Sequence, residues 1–151
     1  MVRILFVCLG NICRSPMAEF ILRDLCEKQN RKDVAVESAA TSSYERGNPV
    51  YAPAREMLYA HGISCAGKTS RQVRADDYAR FDRIYAMDTK NLRDLKRIFN
   101  GDPENKVSLL MDVCKEPRDV ADPWYTGDFD TAYRDIEKAC QALMKELSAS
   151  Y

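Results

Sequence analysis

The sequence predicts an α/β fold in which about four parallel strands form an open sheet. Short apolar runs rich in β-branched residues recur along the chain, and segments with apolar residues every three or four positions separate them. This alternation of strand and helix implies parallel strands joined by right-handed crossovers. The chain has 151 residues without internal repeats or low-complexity tracts, and we expect one domain over residues 1–151.

The expected strands are Val2 to Val7, Val34 to Val36, Arg83 to Met87 and Val107 to Met111. Ser15 and Pro16 are expected to open the first helix, with the serine as N-cap and the proline at the first helical position. Two crossover helices are expected from Ala52 to His61 and from Thr89 to Phe99. The last helix has the clearest period, since its apolar stripe comprises Phe129, Tyr133, Ile136, Cys140, Leu143 and Leu147.

The segment between the first strand and the first helix has the composition of a phosphate-binding loop. It reads Cys8, Leu9, Gly10, Asn11, Ile12, Cys13, Arg14 and Ser15. Ligands of open parallel sheets bind at the carboxyl ends of the strands, and the loop after the first strand should lie at a topological switch point. Loop N–H groups and the N-terminus of the following helix attract a dianionic phosphoryl group. We therefore expect this segment to bind phosphate.

The residue types of this segment indicate separate roles. Cys8 is expected to be a thiolate nucleophile in the floor of the loop, because the N–H groups and Arg14 stabilise its negative charge. The planar guanidinium of Arg14 can hold two phosphoryl oxygens at once. Ser15 can donate its hydroxyl proton to the cysteine sulfur, and Gly10 allows a tight turn. Asn11 is expected to shape the loop, since asparagine tolerates a left-handed backbone and its amide can satisfy loop groups.

The segment from Val7 to Glu19 resembles the signature of the low-molecular-weight protein tyrosine phosphatases. The resemblance covers nearly the whole chain and includes Glu37 to Ser42, His61 to Ile63, Met87-Asp88 with Asn91-Leu92, and Asp122 to Tyr125. It implies a three-layer, flavodoxin-like α/β fold with helices on both faces of the sheet. It also implies hydrolysis of phosphotyrosine in a protein or peptide through a phosphocysteine intermediate on Cys8, without a cofactor.

The same resemblance assigns the general acid and the walls of the cleft. Asp122 would protonate the leaving phenolate and then deprotonate the attacking water, while Pro123 would stiffen its loop. Trp124 and Tyr125 would form one wall for the phenyl ring, and Tyr44 the opposite wall. Taken alone, an Asp-Pro pair commonly opens an ordinary turn, and aromatic residues commonly serve packing. A deep slot between aromatic walls would favour phosphotyrosine over the shorter phosphoserine.

Three further residues bear on the loop. Cys13 could form a reversible disulfide with Cys8 on oxidation, or it could be a small buried apolar residue. Ser38 matches a serine of the family's hydrogen-bond network beneath the loop. Some relatives have a histidine in that network where this chain has Gly67, so we expect a thinner network and a less rigid loop.

Charge and cysteine content narrow the classes of function. The chain has 23 basic and 23 acidic residues, so no net positive charge draws it to nucleic acid. No stretch is apolar enough to span a bilayer and no signal peptide precedes Val2, so we expect no membrane partner. The six cysteines are expected to be reduced thiols of a cytoplasmic protein. Their spacing and the single histidine, His61, predict no metal site, and the oligomeric state stays open.

Three alternative functions use the same pocket. Arsenate reductases share the loop but need a further pair of closely spaced cysteines, which this chain lacks near residues 85–91. Arginine phosphatases of this fold usually have threonine where Ile12 stands, and a hydrocarbon side chain there should favour an aryl substrate. A phosphopeptide-binding module without catalysis would not require both Cys8 and Asp122.

Overall fold

The computed structural model describes residues 1–150 and the side chains of residues 1–149. Its strands are β1 (Val2–Cys8), β2 (Val34–Ala40), β3 (Arg83–Ala86) and β4 (Val107–Leu109). Its α-helices are α1 (Arg14–Lys28), α2 (Ala52–Ala60), α3 (Asp77–Arg80), α4 (Thr89–Ile98), α5 (Pro123–Thr126) and α6 (Phe129–Ser150). A 3₁₀ helix follows β4 at Leu110–Cys114. Within residues 1–150, no helix is both long and apolar enough to cross a membrane.

The sheet is parallel throughout, and its strand order is β2-β1-β3-β4. At the carboxyl end of β1, Cys8 pairs with Ala40 of β2, and Val7 pairs with Ala86 of β3. β1 is therefore a central strand, and its side chains from Ile4 to Val7 are fully buried. Because β2 and β3 lie on opposite sides of β1, the loop after β1 begins at the predicted switch point. The predicted α/β fold with a parallel sheet is confirmed.

Two hydrophobic clusters, one on each face of the sheet, produce the three layers. Alternate side chains of β1 point to opposite faces, as the pleat of a strand requires. Ile4 and Phe6 join the cluster that packs against α1, α2 and α6. Leu5 and Val7 join the cluster that packs against α3 and α4. The predicted stripe of α6 lies in the first of these clusters, with Tyr133, Ile136, Cys140, Leu143 and Leu147 buried.

Several element ends differ from the prediction. β2 continues through two polar residues to Ala40, past the end of the apolar run at Val36. β4 ends at Leu109 instead of Met111, because residues 110–111 turn into the 3₁₀ helix while staying buried. The four-residue helices α3 and α5 were not predicted, since a single turn carries no detectable period.

The start of α1 also corrects the prediction. The helix begins at Arg14 and its N-cap is Cys13, so Ser15 is not the N-cap. The Ser15 hydroxyl instead lies beside the Cys8 sulfur. Pro16 is the third helical residue rather than the first. It still belongs to the first turn, where a missing N–H costs no helical hydrogen bond.

Candidate active site

The loop that follows β1 takes its sharp turn at Asn11. Asn11 has a left-handed backbone with φ of 55°, as its residue type allows. Gly10 does not have a positive φ, so the turn itself does not depend on glycine there. A Cβ at position 10 would lie 3.3 Å from Cγ of Glu45, and close approach of that side chain explains the glycine.

The Cys8 sulfur lies in the floor of this loop. Cys8 is the last residue of the central strand and is buried. Its Sγ lies 3.0 Å from the Ser15 Oγ and accepts a hydrogen bond from the Asn11 N–H at 3.3 Å. The Ser15 hydroxyl and the Asn11 N–H are thus the polar groups that contact the sulfur.

The Asn11 side chain holds the loop against two neighbouring serines. Its Nδ2 donates to the Ser15 Oγ at 2.8 Å and to the Ser38 Oγ at 2.9 Å. Its Oδ1 accepts a hydrogen bond from the Arg71 N–H at 3.2 Å, which fixes the orientation of the amide. The loop-shaping role expected for Asn11 therefore has a specific geometry.

Arg14 joins the loop to two distant segments. Its Nη1 donates to Asp88 at 2.8 Å and to the Val120 carbonyl at 2.9 Å, and its Nη2 donates to Asp122 at 3.3 Å. Burial of the guanidinium opposes its charge, but Cys8, Asp122 and Asp88 outweigh burial and raise the pKa of Arg14. Arg14 is thus a permanent cation at the wall of the pocket.

Asp122 lies across the pocket from the loop after β1 and begins α5. Its Oδ1 accepts the Trp124 N–H at 3.0 Å as the N-cap, and Pro123 occupies the first turn. Its Oδ2 faces Arg14. The preceding chain is anchored because the Val120 N–H donates to the Met87 carbonyl at 2.8 Å. A carboxyl group is therefore held at the mouth of the cysteine pocket.

The pocket between these groups has a volume of about 140 Å³. Its lining comprises Cys8, Leu9, Gly10, Ile12, Cys13, Arg14, Tyr44, Glu45, Asp122, Trp124 and Tyr125. The three predicted aromatic residues form an open rim, with Tyr44 81% exposed, Tyr125 74% and Trp124 50%. The Trp124 ring is supported by Tyr51, whose ring centroid lies 4.8 Å away. All the predicted catalytic and substrate-binding residues line this pocket except Asn11 and Ser15, which lie beneath it.

A network of polar side chains supports the loop from below. The Ser38 hydroxyl donates to Glu19 Oε1 at 2.5 Å, and Glu19 is buried. The expectation of a thinner network at Gly67 is corrected, because the next residue supplies a contact. Lys68 Nζ lies 3.0 Å from Glu19 Oε1 and donates to the Ser38 carbonyl at 3.0 Å.

Several residues that hold this site were not predicted from the sequence. Asp88 binds Arg14, Glu19 and Lys68 bind Ser38, and the Ser70 hydroxyl donates to the Gly10 carbonyl at 2.8 Å. Glu19 and Asp88 lie within segments that carry the family resemblance, whereas no local pattern indicates Lys68 or Ser70.

Cys13 is buried in the same loop, at the N-cap of α1. Burial first, and then the negative charges of Cys8 and Asp122, raise the pKa of Cys13 to about 12. At neutral pH Cys13 is therefore a protonated thiol beside Cys8.

No cluster of side chains in the described part of the chain has the composition of a metal site. Among those residues, no three His, Cys, Asp or Glu side chains lie together in an arrangement that could hold an ion.

Nearly the whole chain is similar to known proteins of one family. A family model described as low molecular weight phosphotyrosine protein phosphatase matches residues 3–151. Low molecular weight phosphotyrosine protein phosphatase 1 of Drosophila melanogaster is 41% identical over 149 residues, which cover 95% of this chain and 96% of the relative. The crystal structure of YfkJ from Bacillus subtilis is 37% identical with a TM-score of 0.96, and the match covers 99% of this chain and 96% of that one. A Drosophila arginine phosphatase is 35% identical with a TM-score of 0.87, over 95% and 96% of the two chains.

Proposed function

Because this chain belongs to the low molecular weight phosphotyrosine protein phosphatases, we propose that it hydrolyses phosphotyrosine in a protein or peptide through a phosphocysteine intermediate. One observation carries the proposal: Cys8, Arg14 and Asp122 line a single pocket although Asp122 lies far from the other two in sequence. A nucleophile, a phosphate-binding cation and a proton donor are the groups that this reaction needs.

In the first step, the Cys8 thiolate attacks the phosphorus atom from the floor of the pocket. The S–P bond forms as the bond between phosphorus and the phenolic oxygen breaks. Loop N–H groups and Arg14 bind the equatorial phosphoryl oxygens, where negative charge is held in the transition state. Asp122 donates its proton to the departing phenolic oxygen, and tyrosine leaves neutral.

In the second step, water attacks the phosphocysteine and inorganic phosphate leaves. Asp122, now a carboxylate, takes a proton from the water, and the S–P bond breaks with its electron pair returning to sulfur. Ser15 Oγ, 3.0 Å from Cys8 Sγ, donates a hydrogen bond to the departing thiolate. The cycle ends with Cys8 ionised and Asp122 protonated, as it began.

The rim of the pocket supports an aryl substrate. Tyr44 and Trp124 both line the pocket and provide flat surfaces, against which a phenyl ring can stack. Ile12 contributes a hydrocarbon side chain to the lining and no hydroxyl. The likeness to an arginine phosphatase makes phosphoarginine the second candidate substrate, and the absence of a polar group on Ile12 favours phosphotyrosine.

The proposed function is tested by comparing substrates at equal concentration. We expect the protein to release phosphate from a phosphotyrosine peptide at least about 100-fold faster than from the matched phosphoserine peptide. The shorter phosphoserine side chain would leave its phosphorus atom out of position for attack by Cys8, and a misplacement of about 1 Å can slow a reaction about 100-fold. Free phosphoarginine and arsenate, assayed in parallel, should give much lower rates. Turnover of phosphoarginine or arsenate without turnover of phosphotyrosine would reject the proposal and assign the pocket to that substrate.

We also propose that the protein is cytoplasmic and that Cys13 protects Cys8 during oxidation. The reducing environment of the cytoplasm would then restore both thiols. Both thiols are free and lie in one loop, so oxidation of Cys8 by a peroxide, which is reduced as it transfers one oxygen to the sulfur, gives a sulfenic acid that can condense with the Cys13 thiol and lose water. The disulfide that results is reversible, whereas further oxidation of Cys8 to the sulfinic acid is not.

The protective role of Cys13 predicts a defect in recovery rather than in turnover. After brief treatment with hydrogen peroxide, dithiothreitol should restore most activity of the parent protein but little activity of the Cys13→Ser variant. Cys65→Ser, which replaces another buried thiol outside the loop, should recover like the parent. Equal recovery of all three proteins would mean that Cys13 serves only packing.

A further inference from the structure

A continuous chain of hydrogen bonds leads from the Cys8 sulfur to a lysine near the protein surface. Cys8 Sγ lies beside Ser15, Ser15 accepts from Asn11, and Asn11 also donates to Ser38. The chain then passes from the Ser38 hydroxyl to Glu19, and from Glu19 to Lys68. Each heavy-atom distance along it lies between 2.5 and 3.0 Å.

The direction of every donor in this chain follows from two fixed points. At one point, the Arg71 N–H donates to Asn11 Oδ1, so Asn11 Nδ2 must be the atom that donates to both serines. At the other point, an ionised Glu19 can only accept, so the Ser38 proton is directed to it. Ser15 then accepts from Asn11 and keeps its own proton for a hydrogen bond to Cys8.

The Ser15 hydroxyl proton can be donated to either of two acceptors, and only one of them is the Cys8 sulfur. The Ala39 carbonyl lies 3.4 Å from the Ser15 Oγ, so the hydroxyl proton can turn away from the sulfur. Tight support of Asn11 holds the Ser15 oxygen close to Cys8. A loose support would allow the proton to turn toward Ala39 and leave the thiolate with one donor fewer.

The buried Glu19 carboxylate is accompanied by two cations. Its side chain is 3% exposed, and an unpaired buried carboxylate is strongly unfavourable. Two cations contact it: Arg23 at 2.7 Å, whose side chain is 48% exposed, and Lys68 at 3.0 Å, whose side chain is 13% exposed. Solvent screens the Arg23 contact far more than the Lys68 contact.

Lys68 also contacts the network at a second place. Its Nζ donates to the Ser38 carbonyl, so one ammonium group binds both the backbone of Ser38 and the carboxylate that receives the Ser38 proton. Arg23 instead shares its guanidinium with the Val36 carbonyl, outside this chain of side chains.

We infer that Lys68 is a positioning residue for the nucleophile, acting through Glu19, Ser38, Asn11 and Ser15 to keep a hydrogen-bond donor on the Cys8 thiolate. The inference rests on the proposed function, in which Cys8 attacks as a thiolate. Lys68 does not touch substrate, and its effect is on the ionisation of a sulfur four side chains away.

The test measures the reactivity of Cys8 directly, without a phosphorylated substrate. Iodoacetamide is reacted with each protein from pH 5 to pH 9, and alkylation is quantified by mass spectrometry on the peptide that contains Cys8. For Lys68→Met we expect a rate about tenfold lower at pH 6, the effect of losing one hydrogen bond to an ionised group. At pH 9, above the ordinary pKa of a thiol, its rate should stay within about twofold of the parent.

Three variants separate positioning from a general loss of structure. Lys68→Arg keeps the cation, so its rate of Cys8 alkylation should depend on pH as in the parent protein. Arg23→Met removes the other cation on the same carboxylate and should leave the profile within about twofold of the parent. Lys68→Gln keeps a hydrogen-bond donor without the charge, and it should fold and show an intermediate loss of rate at pH 6. In Lys68→Met, kcat for a phosphotyrosine peptide should fall with little change in KM.

The possible outcomes distinguish this inference from the proposed function. If the parent Cys8 reacts at pH 6 no faster than a free thiol, the proposed nucleophile is wrong. If the parent is reactive at pH 6 and both Lys68→Met and Lys68→Gln share its profile, only the role of Lys68 is rejected. An equal loss at pH 6 and pH 9 would also reject it, since that pattern indicates damage to the loop and not a change in ionisation.

Discussion

Cys8→Ser should abolish phosphate release from a phosphotyrosine peptide while leaving the peptide able to bind. A serine hydroxyl at this position is not ionised at neutral pH, so the loop would hold the phosphate with no nucleophile beneath it. We expect turnover to fall by roughly 10⁵-fold or more, the scale seen when a covalent nucleophile is removed. Phosphate release under single-turnover conditions measures the chemical step, and fluorescence polarisation of a labelled peptide measures binding.

Cys114→Ser is the matched control for this substitution. Cys114 is a partly exposed free thiol at the end of the 3₁₀ helix and does not line the pocket. Its replacement should leave both turnover and binding unchanged. Residual turnover in Cys8→Ser above the background of a mock purification would contradict covalent catalysis by Cys8.

Asp122→Asn is expected to have the second largest effect, and the size of that effect should depend on the leaving group. An asparagine cannot donate a proton to the phenolic oxygen, so kcat for a phosphotyrosine peptide should fall by about 10²- to 10⁴-fold. For para-nitrophenyl phosphate, whose leaving group departs as a stable anion, the loss should be much smaller. Asparagine is a good N-cap, so the hydrogen bond from Trp124 N–H and the start of α5 should persist.

The same substitution at Asp128 provides the control for Asp122. Asp128 caps the start of α6, where its Oδ1 accepts the Thr131 N–H at 3.0 Å, and it does not line the pocket. Asp128→Asn should leave kcat for both substrates unchanged. If Asp122→Asn slowed both substrates by the same factor, Asp122 would act on binding or loop structure and not as the acid.

The parts of the fold that could be predicted have a long period or a long apolar run. From Ile4 to Val7, β1 is buried on both faces and reads as uninterrupted apolar sequence, and α6 repeats its apolar stripe over several turns. β2 was underestimated because the polar Ser38 lies within it, pointing beneath the loop. α5 has one turn, and only the Asp-Pro pair at its start indicated a change of direction.

The candidate site also has a part that could be predicted from the sequence and a part that could not. The residues from Cys8 to Ser15 are contiguous, so local chemistry predicted a phosphate loop before any contact was known. Lys68 reaches Glu19 and Ser38 from a different segment, and nothing in its local sequence indicates burial. Asp88 meets Arg14 across 74 positions of sequence, a pairing that only the strand order determines. Long-range contacts of this kind follow from the assembled fold and not from the motif.

The contrast between the floor and the rim of the pocket has an evolutionary consequence. The floor is anchored in the central strand, where almost any substitution disturbs close packing. The rim consists of exposed side chains from the segment after β2 and from α5, and substitutions at such positions usually change stability by no more than about 0.5 kcal/mol. Tyr44 and Tyr125 can therefore be replaced by other residue types with little effect on folding or on the groups around Cys8. Under the proposed function, substitutions at the rim would change the choice of substrate among descendants of one ancestor, while the reaction at Cys8 would stay the same.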